Sequence, residues 1–195
     1  NTLTDRAASI AAFSAQFFHD FRAALHASVT EADVHHVVRV GDGNGYRPKP
    51  VMFEEIHHDL HWLDAPSTDE IAAYWYRVSA AQMQLRPGVH ETLQTLQQRG
   101  YTLGMITNGQ TTVQNATIDA TGVRGYFADI VISEESGLRK PDERIFQLSL
   151  ANLGTSAERA AYIGDNPDAD IQGAQGAGLL GVWMANGRQW PSTLP

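Results

Sequence analysis

Three short runs in this sequence carry residue types suited to chemistry on an anion. Thr107-Asn108-Gly109 offers a hydroxyl, an amide and a glycine that admits close approach, directly ahead of a helical pattern. Unsatisfied N–H groups and the helix dipole both favour a phosphate at such a place. Thr and Asn are also ordinary helix caps, and a plain cap is the commoner use of such a triplet. Gly164-Asp165-Asn166-Pro167-Asp168-Ala169-Asp170 holds three carboxylates within six residues. Mg2+ takes one or two protein carboxylates and completes its shell with water and phosphate oxygens, so this run suits that ion. The bland alternative is an acidic helix start, with Asp168 and Asp170 merely complementing the dipole. Lys140, before Pro141, says little alone. Beside an anion site and a metal carboxylate, its charge would offset that of a transferring phosphoryl group.

The elements that must position these runs follow from periodicity. From Leu85 onward the rhythm alternates between helix and strand. Pro87 opens a helix through Val89, Leu93 and Leu96 that Gly100 ends. Apolar runs at 101–106, 128–132, 160–163 and 179–184 read as strands, and 111–121, 141–153 and 169–177 as helices. Such alternation predicts a parallel sheet covered on both faces, with ligands beyond the carboxyl ends of its strands. The two polar runs each follow a strand there, and Lys140 follows the loop 133–139 after another.

Residues 5–84 have a different texture, with helices and loops only. Ile10, Phe13, Phe17, Phe21 and Leu25 fit one amphipathic helix, and Gly41-Asp42-Gly43-Asn44-Gly45 reads as a loop. A helix starting near Lys49 to Phe53 would carry Ile56, Leu60 and Leu63. Another starts at Pro66-Ser67-Thr68-Asp69-Glu70, with Ile71, Tyr74, Trp75 and Val78 as its buried face.

Composition narrows the partners. A net charge of −8 with 18% charged residues and no run of either sign argues against nucleic acid and anionic membranes. The absence of cysteine excludes disulfides, thiolate metal sites and a Cys nucleophile. No apolar stretch reaches the 18 residues of a transmembrane helix, and the first residues lack the order of a signal peptide. The default expectation is a cytoplasmic protein; its oligomeric state is not readable.

Taken together, Thr107-Asn108-Gly109, Lys140-Pro141 and Gly164-Asp165…Asp170, in that order, resemble motifs two, three and four of the haloacid dehalogenase superfamily. The resemblance implies a Rossmann-like α/β core of residues 1–5 and 85–195 with an inserted helical cap of residues 6–84. Asn1-Thr2-Leu3 resembles only the last part of motif one, Asp-x-Asp-x-Thr. The nucleophilic and acid/base aspartates, and the central strand that carries them, would therefore lie before Asn1, and the far end also looks short. The resemblance further implies a phosphomonoester hydrolase that works on a small phosphorylated metabolite through an aspartyl-phosphate, with Mg2+. Asp165 would hold Mg2+, and Thr107 with the N–H groups of Asn108 and Gly109 would bind the phosphoryl oxygens. Lys140 would stabilise the nucleophile and the developing charge, Asp170 would orient Lys140 or the metal's waters, and Thr2 would support motif one. This chain alone would not turn over. The alternatives are a 2-haloacid dehalogenase, whose motif four lacks the acidic pattern, and a non-catalytic scaffold.

Other signals weigh less. His57, His58 and His61 lack the Glu of a zincin helix and fit a half-exposed helix better. The glycine loop is no P-loop, and no Gly-x-Gly-x-x-Gly follows a strand, which disfavours a dinucleotide cofactor. Tyr46 and Arg47 are candidate substrate contacts. Trp183, Trp190 and Tyr126 read as packing residues.

Overall fold

The computed structural model describes residues 1–194. They divide into two compact units, one of Thr4–Arg86 and one of Asn1–Leu3 with the chain from Pro87 onward.

The Thr4–Arg86 unit is helical. Helix α1 (Arg6–Asp20) starts where the Asp5 carboxylate accepts the Ala8 N–H at 3.0 Å, and it buries Ile10, Phe13 and Phe17. It stops before Phe21 and Leu25, which the periodicity placed within it; Leu25 is buried through a bridge to Trp62 instead. A capping box of Thr30 and Asp33 opens α2 (Glu31–Asp42), a helix the sequence reading did not name. Gly41 and Asp42, expected in a loop, complete α2 and are buried, and a short turn (Gly43–Gly45) follows. The glycine serves packing rather than a turn. A Cβ on Gly41 would lie 2.8 Å from Met52 Cγ in α3 (Lys49–Asp59), so the two helices approach closely there. Helix α3 buries Met52, Phe53 and Ile56, whereas Leu63 lies beyond it and is 67% exposed, contrary to expectation. Ser67 and Glu70 cap α4 (Thr68–Val78), whose Ile71, Tyr74 and Trp75 face inward. Phe13 meets Trp75 edge-on at 4.5 Å, and Phe17 meets Tyr74 at 5.4 Å. Each such pair adds about 0.5–1.5 kcal/mol beyond its buried area.

Buried beside these rings is a charge cluster. Asp42, 1% exposed, accepts from the Arg6 guanidinium through both oxygens and from Lys49 Nζ at 2.6 Å. Both cations lie over the Trp75 ring, at 5.8 and 5.4 Å.

In the other unit, α5 (Val89–Gln98) begins after Gly88, whose φ of +79° favours glycine. Strand β1 (Gly104–Thr107) is shorter than the apolar run suggested, because Tyr101 is 62% exposed. Then come α6 (Thr111–Ala120), β2 (Asp129–Ile132), a short α7 (Ser133–Ser136) where a loop was expected, and α8 (Glu143–Asn152). Strand β3 (Ala161–Gly164) leads into a wide π-type turn (Pro167–Gln172), α9 (Gly173–Gly176) and β4 (Leu180–Trp183). The turn replaces the first half of an expected helix because Asn166 O accepts from both Asp170 N and Ile171 N.

Strands β1 and β2 pair in parallel from Gly104↔Asp129 to Thr107↔Ile132, and β3 and β4 from Ala161↔Leu180 to Gly164↔Trp183. Among the described residues no ladder joins the two pairs. The expectation of two covered faces fails for β3–β4. Strand alternation puts Ile163, Leu180 and Val182 on one face, and they are 50%, 67% and 41% exposed. The opposite face packs, with Tyr162 edge-on to Phe146 at 5.0 Å.

Candidate active site

The end of β3 builds the first part of the site. A Cβ on Gly164 would fall 2.3 Å from Asp170 Cβ, so only glycine lets the chain fold back this tightly. Asn166 caps the wide turn, its Oδ1 accepting from Asp168 N at 3.1 Å and Ala169 N at 2.9 Å. Asp170 Oδ2 accepts the Asn166 N–H at 2.9 Å. The three carboxylates thereby part company: Asp165 and Asp170 are buried, whereas Asp168 is exposed.

Lys140 joins this strand end to β1. Its ammonium donates to Asp170 Oδ1 at 2.8 Å, to Tyr162 Oη at 2.8 Å and to Ile106 O at 2.9 Å. Burial pulls the lysine pKa down, but the nearby Tyr162 phenol and Asp170 carboxylate outweigh it and hold it above 10.5. Burial likewise pushes the Tyr162 phenol up, with Lys140 opposing, so the phenol stays neutral and donates to Ile106 O at 3.1 Å. The Lys140 backbone is clamped as well. Its N–H donates to Asn108 Oδ1 and its carbonyl accepts from Asn108 Nδ2, both at 3.0 Å. One bonded path thus runs from Asn108 through Lys140 and Asp170 to Asn166, the neighbour of Asp165.

The amides after β1 are used differently from the sequence reading. Gly109 N donates to Ser133 Oγ at 3.0 Å, and Thr111 N, the first of α6, donates to Glu134 Oε2 at 2.7 Å. The unforeseen α7 delivers these two side chains, so the positive end of α6 is already met by a carboxylate. Thr107 Oγ1 donates to Gln114 Oε1 at 2.7 Å. An open cavity of about 380 Å³ adjoins this loop, lined by Gly109, Gln110, Ser133, Glu134, Leu138 and Arg139.

Asp165, 4% exposed, gathers donors. Its Oδ1 accepts from Thr2 Oγ1 at 3.3 Å, while Arg188 lies 3.5 Å from Oδ2. Its carbonyl accepts from Arg188 and from Trp183 Nε1 at 3.2 Å. Among the described residues no group of three or more His, Asp and Glu side chains is arranged to hold a metal.

A model of the haloacid dehalogenase-like hydrolase family matches residues 1–178. The chain belongs to that family.

Among curated relatives of this haloacid dehalogenase-like hydrolase, a phosphoserine phosphatase from Thermus thermophilus is 35% identical over 60% of this chain and 47% of its own length. A ribulose-1,5-bisphosphate 5-phosphatase from Halopiger xanaduensis is 32% identical over 83% of this chain and 68% of its own. The match spans about half the length of several such relatives, for example 46% of a glyceraldehyde 3-phosphate phosphatase from Methanopyrus kandleri. Among solved structures, the HAD-hydrolase YfnB from Bacillus subtilis, bound to magnesium, aligns with a TM-score of 0.70 at 24% identity, covering 98% of this chain and 88% of that one. A 2-haloacid dehalogenase from Pseudomonas syringae aligns with a TM-score of 0.61 at 28% identity, covering 100% and 88%.

Four residues of the site do not stand out in the sequence: Gln114, Ser133, Tyr162 and Arg188. Tyr162 looks like any buried aromatic in a strand, and Arg188 sits in a stretch without pattern. Only Ser133, directly after a strand, carried a positional signal. In the helical unit, His57 Nδ1 bonds Pro66 O at 2.8 Å and His61 stacks on His26 at 4.2 Å. Arg47, expected near substrate, pairs with Glu55 at 2.6 Å, while Tyr46 is 48% exposed. Trp183 and Trp190 pack edge to face at 5.2 Å.

Proposed function

We propose that the protein is a phosphomonoester hydrolase acting on a small phosphorylated metabolite with Mg2+ as cofactor. The single observation that carries this reading is the Asn108–Lys140–Asp170 network, anchored on the buried Asp170 and standing beside the buried carboxylate of Asp165. A cation held at the rim of an anion loop suits charge developing on a phosphoryl group.

The donor set fits Mg2+. Asp170 is engaged by Lys140 and Asn166, which leaves Asp165 as the buried carboxylate facing the Arg188 guanidinium. An ion that accepts a single carboxylate and several waters suits such a place. Asp165 would hold the ion, which when bound supplies positive charge against the phosphate oxygens. The Thr107 hydroxyl and the Asn108 N–H bind and orient the phosphoryl group, with the Gly109 N–H reaching it once Ser133 gives way. Lys140, protonated throughout the neutral range, offsets its charge. Asp170 fixes the lysine, and Thr2 steadies Asp165. By resemblance, attack on phosphorus falls to an aspartate of motif one, whose last part Asn1-Thr2-Leu3 matches. The helical unit is read as the cap that selects substrate.

A panel of phosphometabolites, offered to the protein with a complete motif one, tests this reading. Phosphate release from one ester class, abolished by EDTA and by Asp165→Asn, is expected; the 195-residue chain should release none. Halide release from 2-haloacids without phosphate release would instead favour the dehalogenase, against which two buried carboxylates speak.

A further inference from the structure

The amide of Gln114 lies folded across the loop after β1. Its Oε1 takes the Thr107 hydroxyl proton at 2.7 Å, and a Cβ on Gly109 would lie 2.5 Å from its Nε2. Gly109 has a φ of +157°, and the atoms nearest its missing Cβ are those of the Gln114 side chain, which shows how closely that amide lies over the loop. Gln114 is half-buried in the first turn of α6, three residues after the helix start.

This arrangement poses a hydrogen-bond conflict. A hydroxyl has one proton. While Thr107 gives it to Gln114, the face it can offer an anion is a lone pair, which repels phosphate. A side-chain amide carries an acceptor and a donor about a broad terminal torsion, so turning it over exchanges the two. Nε2 then donates to Thr107 Oγ1, and the threonine proton is released toward the anion as a charge-assisted bond, stronger than the neutral one it replaces.

We propose that Gln114 is a positioning residue whose amide turns over on phosphate binding and so decides which way the Thr107 hydroxyl points. The inference rests on the reading of the Thr107 loop as the phosphate site. It assigns to Gln114 a donor role that no carboxylate and no thioether can perform.

The test is calorimetric titration of the 195-residue chain with inorganic phosphate in the presence of Mg2+, with urea unfolding as a folding control. The variants are Gln114→Met, Gln114→Glu and Thr107→Val. Gln114→Met keeps the bulk, loses the donor, and should weaken phosphate about 3- to 10-fold, the range of one neutral hydrogen bond. Gln114→Glu should weaken it more than Gln114→Met, because its carboxylate keeps the Thr107 proton. Urea midpoints of both should stay near that of the unsubstituted chain, which a purely structural role would not allow. If Gln114→Met binds phosphate equally or more tightly while Thr107→Val loses it, the turnover of the amide is wrong and the phosphate site stands. If the unsubstituted chain and Thr107→Val are alike in showing no phosphate binding, the site and the inference both fall.

Discussion

Lys140 has three N–H groups and three acceptors, contributed by Asp170, Tyr162 and the Ile106 carbonyl. Removing the ammonium strands a buried carboxylate. Lys140→Met should therefore cost about 3–5 kcal/mol of stability, as for other buried pairs deprived of one partner. Urea unfolding checks this, and a loss under 1 kcal/mol would mean that water relieves Asp170. Asp42 makes a prediction about pH. Burial pushes its carboxyl up, but Arg6 and Lys49 outweigh burial and hold it below 3.8. Lys49 is itself pulled down, by burial first, with Asp42 opposing and Arg6 adding to the fall. The two directions differ on how favourable the lysine is, and Arg6, bonded to both oxygens, is the partner that stabilises Asp42. A depressed folded pKa contributes stability that is complete above the unfolded value and fades as pH falls through the folded one. Acid unfolding followed by circular dichroism should show an extra loss below about pH 4 that Asp42→Asn lacks, 4 being near the unfolded carboxylate value. Identical acid profiles would contradict this. Asp165 stands out in the sequence because strand ends are where parallel sheets place chemistry, whereas Lys140 is singled out only by the family resemblance. The pairing of Lys140 with Asp170 follows from the family resemblance, whereas Tyr162 beside Lys140 and Arg6 beside Asp42 were not legible, since each lies far from its partner in sequence.

At the level of elements, Gly173 ties α9 to the lysine loop. A Cβ there would lie 2.9 Å from Pro141 Cα and O and 2.9 Å from Phe146 Cε2, and backbone cannot step aside cheaply. Gly173→Ala should cost about 1–3 kcal/mol through overpacking, and should weaken phosphate binding by displacing Lys140. A variant that is destabilised yet binds phosphate normally would show that α9 does not position the site. Helix and strand order from Leu85 onward was readable because apolar periodicity is local. What failed were the elements with weak periodicity or competing bonds. Helix α2 hides behind Gly41, which looks like a loop residue but serves contact with Met52. The π-type turn arises from Asn166 O accepting twice, which no spacing of apolar residues announces.

For the molecule as a whole, a net charge of −8 leaves local groups to attract an anionic substrate. Raised ionic strength should then leave phosphate affinity at Lys140 largely intact, since buried charges are screened less than exposed ones. The α/β class and the helical insertion were legible from the change of texture near Leu85. The separation into two strand pairs was not, because parallel alternation says which strands exist but not which are neighbours. No described helix is long and apolar enough to cross a membrane. The central claim is that the loops bearing Thr107, Lys140 and Asp165 serve one phosphate and one divalent ion. A crystal structure of the chain soaked with Mg2+ and inorganic phosphate tests it most directly. The account predicts the anion on Thr107 Oγ1, with Lys140 facing it and the ion on Asp165. Phosphate bound elsewhere, with Thr107 still bonded to Gln114 and no ion on Asp165, would contradict it.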